Sequence, residues 1–318
     1  MTLAMTAAAS HVLNLQGHRG ARGLAPENTL VAFARALSIG VTTLELDCAI
    51  TRDGVVVVSH DPALNPDFTR ASDGRWLEAQ GAAIHQLTFA ELQRYDVGRI
   101  KPGSAYAKRF PAQVAVDGAR VPRLADVFAL VRRSGNEAVR FNIETKTSPL
   151  APDETTGPED FARKLISAVR SAGMAERTTV QSFDWRTLQV VQQEAPDIPT
   201  VYLTAQQSFM DNIRGTEKDS PWSAGFHVSR FGGSIPRAVK AAGGAVWSPY
   251  YREVTRENVG EAQGLGLKVV VWTVNTEPEI RTMIELGVDG IISDYPDLLR
   301  RVAAELGITL PAATHATP

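Results

Sequence analysis

From residue 121 onward the chain alternates between short β-branched or apolar runs and longer stretches with helical spacing of apolar residues. The runs fall at 139–145, 178–181, 200–203, 245–247, 268–273 and 290–292. The helical stretches fall near 124–133 and 161–172, from Trp185, near 256–263 and 277–286, and from Pro296 to Glu305. The pattern has already begun at the N-terminus. Residues 12–16 form a short apolar run, and Pro26-Glu27-Asn28-Thr29 opens a helix whose stripe is Leu30, Phe33, Ala34 and Leu37. Asn or Thr can cap that helix, Gly40 stops it, and another strand begins at residue 42. About eight strands, each followed by a helix, imply a parallel sheet covered by helices, and that number favours closure. The expected fold is α/β, a (β/α)8 TIM barrel forming one catalytic domain over 12–306, with terminal tails at 1–11 and 307–318.

One stretch breaks the alternation. Residues 61–121 are rich in Pro, Gly, Asp and Arg, with a single short helical piece at 88–95. So long a departure inside a repeating pattern reads as a lobe inserted after the second strand. Its aromatics Phe68, Trp76, Tyr95, Tyr106 and Phe110 either close over a substrate or make a small satellite core. Residues 205–235 are a second irregular region.

Composition removes several classes of function. The 33 basic and 35 acidic residues are interspersed, with a net charge of −2, and form no basic stripe for nucleic acid. A lone cysteine, Cys48, excludes an internal disulfide framework. No run of about eighteen apolar residues is present, so no stable membrane insertion is expected. The first sixteen residues lack a basic segment typical of a signal peptide. As written the protein is expected to be soluble and cytoplasmic, or periplasmic if an upstream signal has been removed.

The most informative strand lies within residues 42–61, TTLELDCAITRDGVVVVSHD. Leu44, Leu46 and Cys48 alternate with Glu45 and Asp47, so a side-chain period of two puts both carboxylates on one face. Either that face is solvated, or a bound cation relieves two poorly solvated like charges. Asp53-Gly54 signals a turn, and the run 55–58 ends in Ser59-His60-Asp61.

In a barrel of this kind the strand C-termini face the active site. Strand one delivers His18 and Arg19 from a glycine-rich loop. Strand two delivers Glu45, Asp47 and, through its continuation, His60. Strand three ends in NIETK, placing Glu144 and Lys146 on one face. Glu45, Asp47 and Glu144 are three hard oxygen donors suited to a divalent cation, Mg²⁺ or Ca²⁺. Arg19 and Lys146 are fixed cations suited to an anion, and His18 and His60 can serve as acid and base. Together they describe phosphoryl chemistry on a small-molecule substrate, in which positioning and charge stabilisation dominate.

The stretch GHRGARGLAPENTLVAFARALSIGVTTLELDCAITRDGVVVVSHD closely resembles the opening signature of the glycerophosphodiester phosphodiesterase family. NIETK, QSFDW, VWTVN and ISDYPD are similar to its later blocks, so the likeness runs from residue 17 to about residue 300. The resemblance implies a (β/α)8 barrel with an inserted lobe and a divalent metal on Glu45, Asp47 and Glu144. It also implies His18 and His60 as the acid/base pair and Arg19 and Lys146 on the phosphate. The longer bacterial members, which the inserted segment resembles, include exported and Ca²⁺-using enzymes. Cys48 stands where Val or Leu is more usual, on the face turned away from the site.

The implied reaction is hydrolysis of a glycerophosphodiester to sn-glycerol 3-phosphate and an alcohol. The alternative is a lysophospholipase D or phospholipase C-like enzyme acting on lipid phosphodiesters. Phe209, Met210, Trp222 and Phe226 could then supply an apolar mouth. Phe183 and Trp272 either line the pocket or pack in the core. Glu27 either approaches the site or serves its helix N-terminus. Asp294 either belongs to the site or caps the following helix. The assignment of acid and base between the histidines and the oligomeric state stay open.

Overall fold

The computed structural model describes residues 13–215 and 219–318; the tail expected at 1–11 lies outside the described residues. The eleven strands among the described residues are β1 (Asn14–Gly17), β2 (Thr43–Ile50), β3 (Val56–Val58), β4 (Arg140–Thr145), β5 (Thr178–Ser182), β6 (Thr200–Thr204), β7 (Gln206–Gln207), β8 (Met210–Asp211), β9 (Val246–Pro249), β10 (Lys268–Val271) and β11 (Gly290–Ser293). Eight are parallel neighbours in the cycle β1-β2-β4-β5-β6-β9-β10-β11, and the β1–β11 pairing closes it. This is the expected (β/α)8 barrel. β3 lies outside the cycle and pairs antiparallel with the far end of β2, making the Asp53-Gly54 turn a hairpin.

The principal helices are α1 (Leu30–Ile39), α2 (Phe89–Leu92), α3 (Ala105–Arg109), α4 (Leu124–Arg133), α5 (Pro158–Ser171), α6 (Trp185–Glu194), α7 (Ile235–Ala241), α8 (Arg256–Gly264), α9 (Glu277–Leu286) and α10 (Pro296–Glu305). Their starts and stops follow from local chemistry. Thr29 caps α1 by accepting from Ala32 N–H, and Gly40 ends it at φ 87°, a left-handed conformation costly for any residue with a Cβ. Phe33, Ala36 and Leu37 of α1 pack with Leu44, Leu46 and Cys48 of β2 in the main core, all at or below 1% exposure. None of the helices is long and apolar enough to cross a membrane, among the described residues.

Residues 61–121 carry α2 and α3 and pack around a second apolar cluster of Ala49, Val57, Leu64, Ile84, Leu92, Val97 and Val121. Phe68 and Tyr95 lean on that cluster, and Trp76 lies against Arg70. Of the five aromatics noted in this segment, only Tyr106 lines the large cleft. The helix expected over 88–95 is shorter, because a Thr88/Glu91 capping box opens it and it ends at Leu92. After α10 the chain has no helix or strand, yet residues 307–318 dock on the barrel. Arg300 Nη1 donates to the Pro311 carbonyl, and Thr314 N–H donates to the Leu37 carbonyl.

Candidate active site

Register explains why three carboxylates converge. β2 and β4 run in parallel with Glu45 opposite Asn142 and Asp47 opposite Glu144, so the acids sit on adjacent strands at the C-terminal rim. One oxygen from each of Glu45, Asp47 and Glu144 lies within 4.8 Å of the others. All three side chains are buried, so the reading of Glu45 and Asp47 as a solvated face does not hold. Beneath them the barrel interior is polar. Asn142 Nδ2 donates to Gln16 and to Gln181, and Gln181 Nε2 donates to Glu45 Oε1 at 2.7 Å.

The loop after β1 supplies the next groups. Arg19 has a left-handed backbone (φ 49°), and its N–H donates to Glu45 Oε2 at 2.9 Å. Gly20 follows at φ 83°, where a Cβ would stand 2.6 Å from the Ala32 carbonyl carbon. Only glycine permits so close an approach of this loop to α1. The Arg19 guanidinium donates from Nη1 to Glu27 at 2.6 Å and places Nε 3.3 Å from Asp47 Oδ2. Lys146 Nζ is 2.8 Å from Glu144 and 3.8 Å from Asp47. Two cations therefore stand among three carboxylates.

Both histidines are oriented by a carboxylate. His18 Nδ1 lies 2.6 Å from Asp294, and His60 Nδ1 lies 2.7 Å from Asp61. That contact leaves Nε2 of each ring for the cleft; for His18 it stands 3.9 Å from Glu45. Burial, helped by the Arg22 charge, pushes the His18 imidazole down to about 4 despite Asp294, so it is neutral at neutral pH. Burial and the charges of Arg19 and Lys146 lower His60 as well.

The acids show what the pocket wants. Burial pushes Glu144 up to about 7 in spite of Lys146, and burial with the neighbouring Asp47 charge pushes Glu45 well above the usual carboxylate range. For Asp47 burial acts upward too, but His60, Arg19 and Lys146 overcome it and hold the group far below that range. Buried hard donors that repel one another at this spacing fit a divalent cation, which would relieve the raised carboxyls of Glu45 and Glu144. Because burial raises both Glu45 and Glu144, Glu144 to about 7, metal binding should expel protons, and affinity should weaken as pH falls through about 7. Calorimetry in buffers of different ionisation enthalpy would read this. A pH-independent affinity without proton release would contradict it.

His18, His60, Arg19, Glu45, Glu144 and Lys146 line one cleft of about 810 Å³, together with Phe183 and Trp272. The Phe183 and Trp272 rings meet edge to face with centroids 5.2 Å apart. Asp47, 1% exposed, does not line the cleft but meets Arg19 Nε at 3.3 Å and Lys146 Nζ at 3.8 Å. Phe209, Met210 and Trp222 also line the cleft, whereas Phe226 packs against the core. Glu27 approaches the cluster, where its Oε1 accepts from Arg19 Nη1. Asp294 does not cap α10; it accepts from both ends of the Arg22 fork, at 2.7 and 3.0 Å, and from Asn275. The structure adds Asp61, Arg22 and Asn28 to the network; Asn28 Nδ2 donates to Asp47 Oδ2 at 3.0 Å. It also gives Tyr106, named above only as one of five aromatics that close over a substrate or pack together, a definite partner in Glu27. Asp61, adjacent to His60, is the one of the three added residues with a local sequence signal.

Comparison with known proteins agrees with this architecture. The glycerophosphoryl diester phosphodiesterase family matches residues 18–298. The chain is 30% identical over 283 residues to a glycerophosphodiester phosphodiesterase of Caldanaerobacter subterraneus subsp. tengcongensis, covering 89% of this chain and 94% of that protein. A solved structure from Silicibacter pomeroyi DSS-3, assigned as a glycerophosphoryl diester phosphodiesterase, is 38% identical. It superposes with a TM-score of 0.83 over 94% of this chain and 95% of that one. The likeness of fold extends to an Oleispira antarctica phosphodiesterase in complex with the product sn-glycerol-3-phosphate. There the identity is 20% and the TM-score 0.66, over 92% of this chain and 97% of that one. The chain belongs to the glycerophosphoryl diester phosphodiesterase family and is an enzyme of the phosphoric diester hydrolase class.

Proposed function

We propose that the chain hydrolyses water-soluble glycerophosphodiesters to sn-glycerol 3-phosphate and an alcohol. The observation that carries this reading is a pair of carboxylate-oriented imidazoles at one cleft with three buried acids and two cations, Arg19 buried and Lys146 half-buried. Glycerol 3-phosphate, the product bound by the Oleispira relative, is of the size and charge such a centre accepts.

In this mechanism Arg19 and Lys146 hold the phosphate through its non-bridging oxygens. Phe183 and Trp272 offer apolar surface to the glycerol carbons beside Lys146, whose Nζ is 6.0 Å from the Phe183 centroid. One histidine accepts at Nε2 the proton of the glycerol 2-hydroxyl, whose oxygen attacks phosphorus. The other donates a proton from Nε2 to the alcohol oxygen as its bond to phosphorus breaks. Water then opens the cyclic phosphate: its oxygen joins phosphorus as the bond to the 2-oxygen breaks, its proton passes to the histidine that protonated the alcohol, and the first histidine returns its proton to the 2-oxygen. Glu45, Asp47 and Glu144 would hold the Mg²⁺ or Ca²⁺. Such a cation, when bound, supplies neutralisation of the charge that builds on the phosphate.

Phosphorus NMR of glycerophosphocholine turnover tests the bond cleaved. The expected product is glycerol 3-phosphate with free choline; phosphocholine with free glycerol would overturn the reading.

One observation supports the lipid alternative. Phe209, 63% exposed at the tip of the β7–β8 hairpin, meets Tyr250 at 5.3 Å, and Tyr250 meets Trp272 at 5.5 Å. These rings extend the Phe183–Trp272 wall out to the rim, along which an acyl chain on the glycerol could lie. On this reading 1-acyl lysophosphatidylcholine is turned over faster than glycerophosphocholine, and Phe209→Ser abolishes the advantage. Equal or slower turnover of the lysolipid removes it.

A further inference from the structure

Residues 104–114 bring the 61–121 segment against the active site, and there they grip the loop after β1. Tyr106, on α3, donates its hydroxyl to Glu27 Oε2, while Glu27 Oε1 accepts from Arg19. Four positions on, the buried Phe110 ring lies 4.6 Å from the Arg22 guanidinium carbon. Arg22 forks onto Asp294, and Asp294 meets His18 Nδ1. Gln113 Nε2 donates to the Arg22 carbonyl at 2.7 Å, and Val114 N–H donates to the Leu24 carbonyl at 3.0 Å. Tyr106 is itself wedged between Phe68 and Phe110, with centroids 5.6 and 5.0 Å away, so its position is set by that segment's own packing.

We infer that residues 104–114 are a clamp with two arms: Tyr106 positions Arg19 through Glu27, and Phe110 positions His18 through Arg22 and Asp294. An arginine side chain loses much rotamer freedom when fixed. Arg19 Nε faces Asp47 at 3.3 Å without hydrogen-bond geometry, so among the described residues the hydrogen bond that fixes the guanidinium plane is the one to Glu27. A carboxylate bonded through one oxygen can still swing; Tyr106 takes the second oxygen and stops it. The other arm works by packing. Phe110 covers the face of Arg22 that Asp294 does not reach, which keeps the fork planar against the carboxylate that orients His18. Tyr106 and Phe110 are positioning residues: both act through others. The inference rests on the site roles proposed above, and the arms make it separable from them.

The test uses the full chain with Tyr106→Phe, Phe110→Leu and Phe110→Tyr. Inorganic phosphate, titrated by calorimetry in the presence of Mg²⁺, probes Arg19 without requiring turnover. Tyr106→Phe should weaken phosphate binding and raise KM about tenfold while changing kcat little, a size typical of losing an outer hydrogen-bond partner. Phe110→Leu should lower kcat about tenfold with phosphate affinity unchanged, and Phe110→Tyr should restore it. If Phe110→Leu does not fold, Gln113→Ala replaces it with the same expectation. Phosphate affinity and kcat at wild-type values in folded variants, whatever their thermal midpoints, would overturn the clamp. A wild-type protein that cleaves no glycerophosphodiester would sink the proposed reaction, while the phosphate titration would still decide the Tyr106 arm.

Discussion

His18→Ala and His60→Ala should each lower turnover of glycerophosphocholine by about 10²–10⁴-fold, the usual worth of a positioned proton carrier. Neither change should unfold the barrel. Both imidazoles stand at strand ends rather than in the apolar core, and the His60 side chain is 31% exposed. Removing His18 leaves Asp294 its fork from Arg22 and its bond from Asn275, so no buried charge is orphaned. Steady-state kinetics with thermal unfolding of the same samples separates lost chemistry from lost structure. Full activity in either folded variant would refute the acid/base pair.

Asp294→Ala should be the costlier change for the fold. Asp294 is 1% exposed and takes both prongs of the Arg22 fork, while Arg22 is itself only 6% exposed. Truncating the acid leaves a guanidinium in the interior without its counter-charge, a loss of about 3–5 kcal/mol. Phe110 still covers one face of Arg22 but cannot supply that charge. The same variant frees the His18 ring, so whatever protein folds should also turn over more slowly. Exposed Asp297, on the first turn of α10, is the control: Asp297→Ala should change stability by less than about 0.5 kcal/mol. Urea unfolding of both variants reads the difference. Equal costs would show that the Arg22–Asp294 fork is not holding the rim together.

The barrel was legible because eight strand–helix units repeat, and because apolar runs bounded by glycine or capping residues locate each element within a few positions. The carboxylate triad was legible for a more local reason. A period of two puts Glu45 and Asp47 on one face, and NIETK offers the next strand's acid at its C-terminal end. What pairs with what was harder. Sequence alone allows Asp294 either the site or the helix cap, since its partners His18 and Arg22 lie 276 and 272 positions away. Glu27 was ambiguous for the same reason, because its second partner, Tyr106, comes 79 residues later from a segment without periodic pattern. Strand ends shifted where the chain turns toward the cleft. The run expected to reach Thr273 leaves β10 at Val271, and Trp272 instead bonds Ser248 through its indole nitrogen. Periodicity places elements well, but it does not identify which distant side chains meet at the rim.

The most direct test of the account is release of glycerol 3-phosphate from glycerophosphocholine and glycerophosphoethanolamine, after EDTA treatment and again with Mg²⁺ or Ca²⁺ restored. The stripped protein should release none, and one of the two cations should restore release, with recovery absent in Glu45→Gln. Undiminished release after EDTA, or wild-type recovery in Glu45→Gln, would contradict a metal held by Glu45, Asp47 and Glu144.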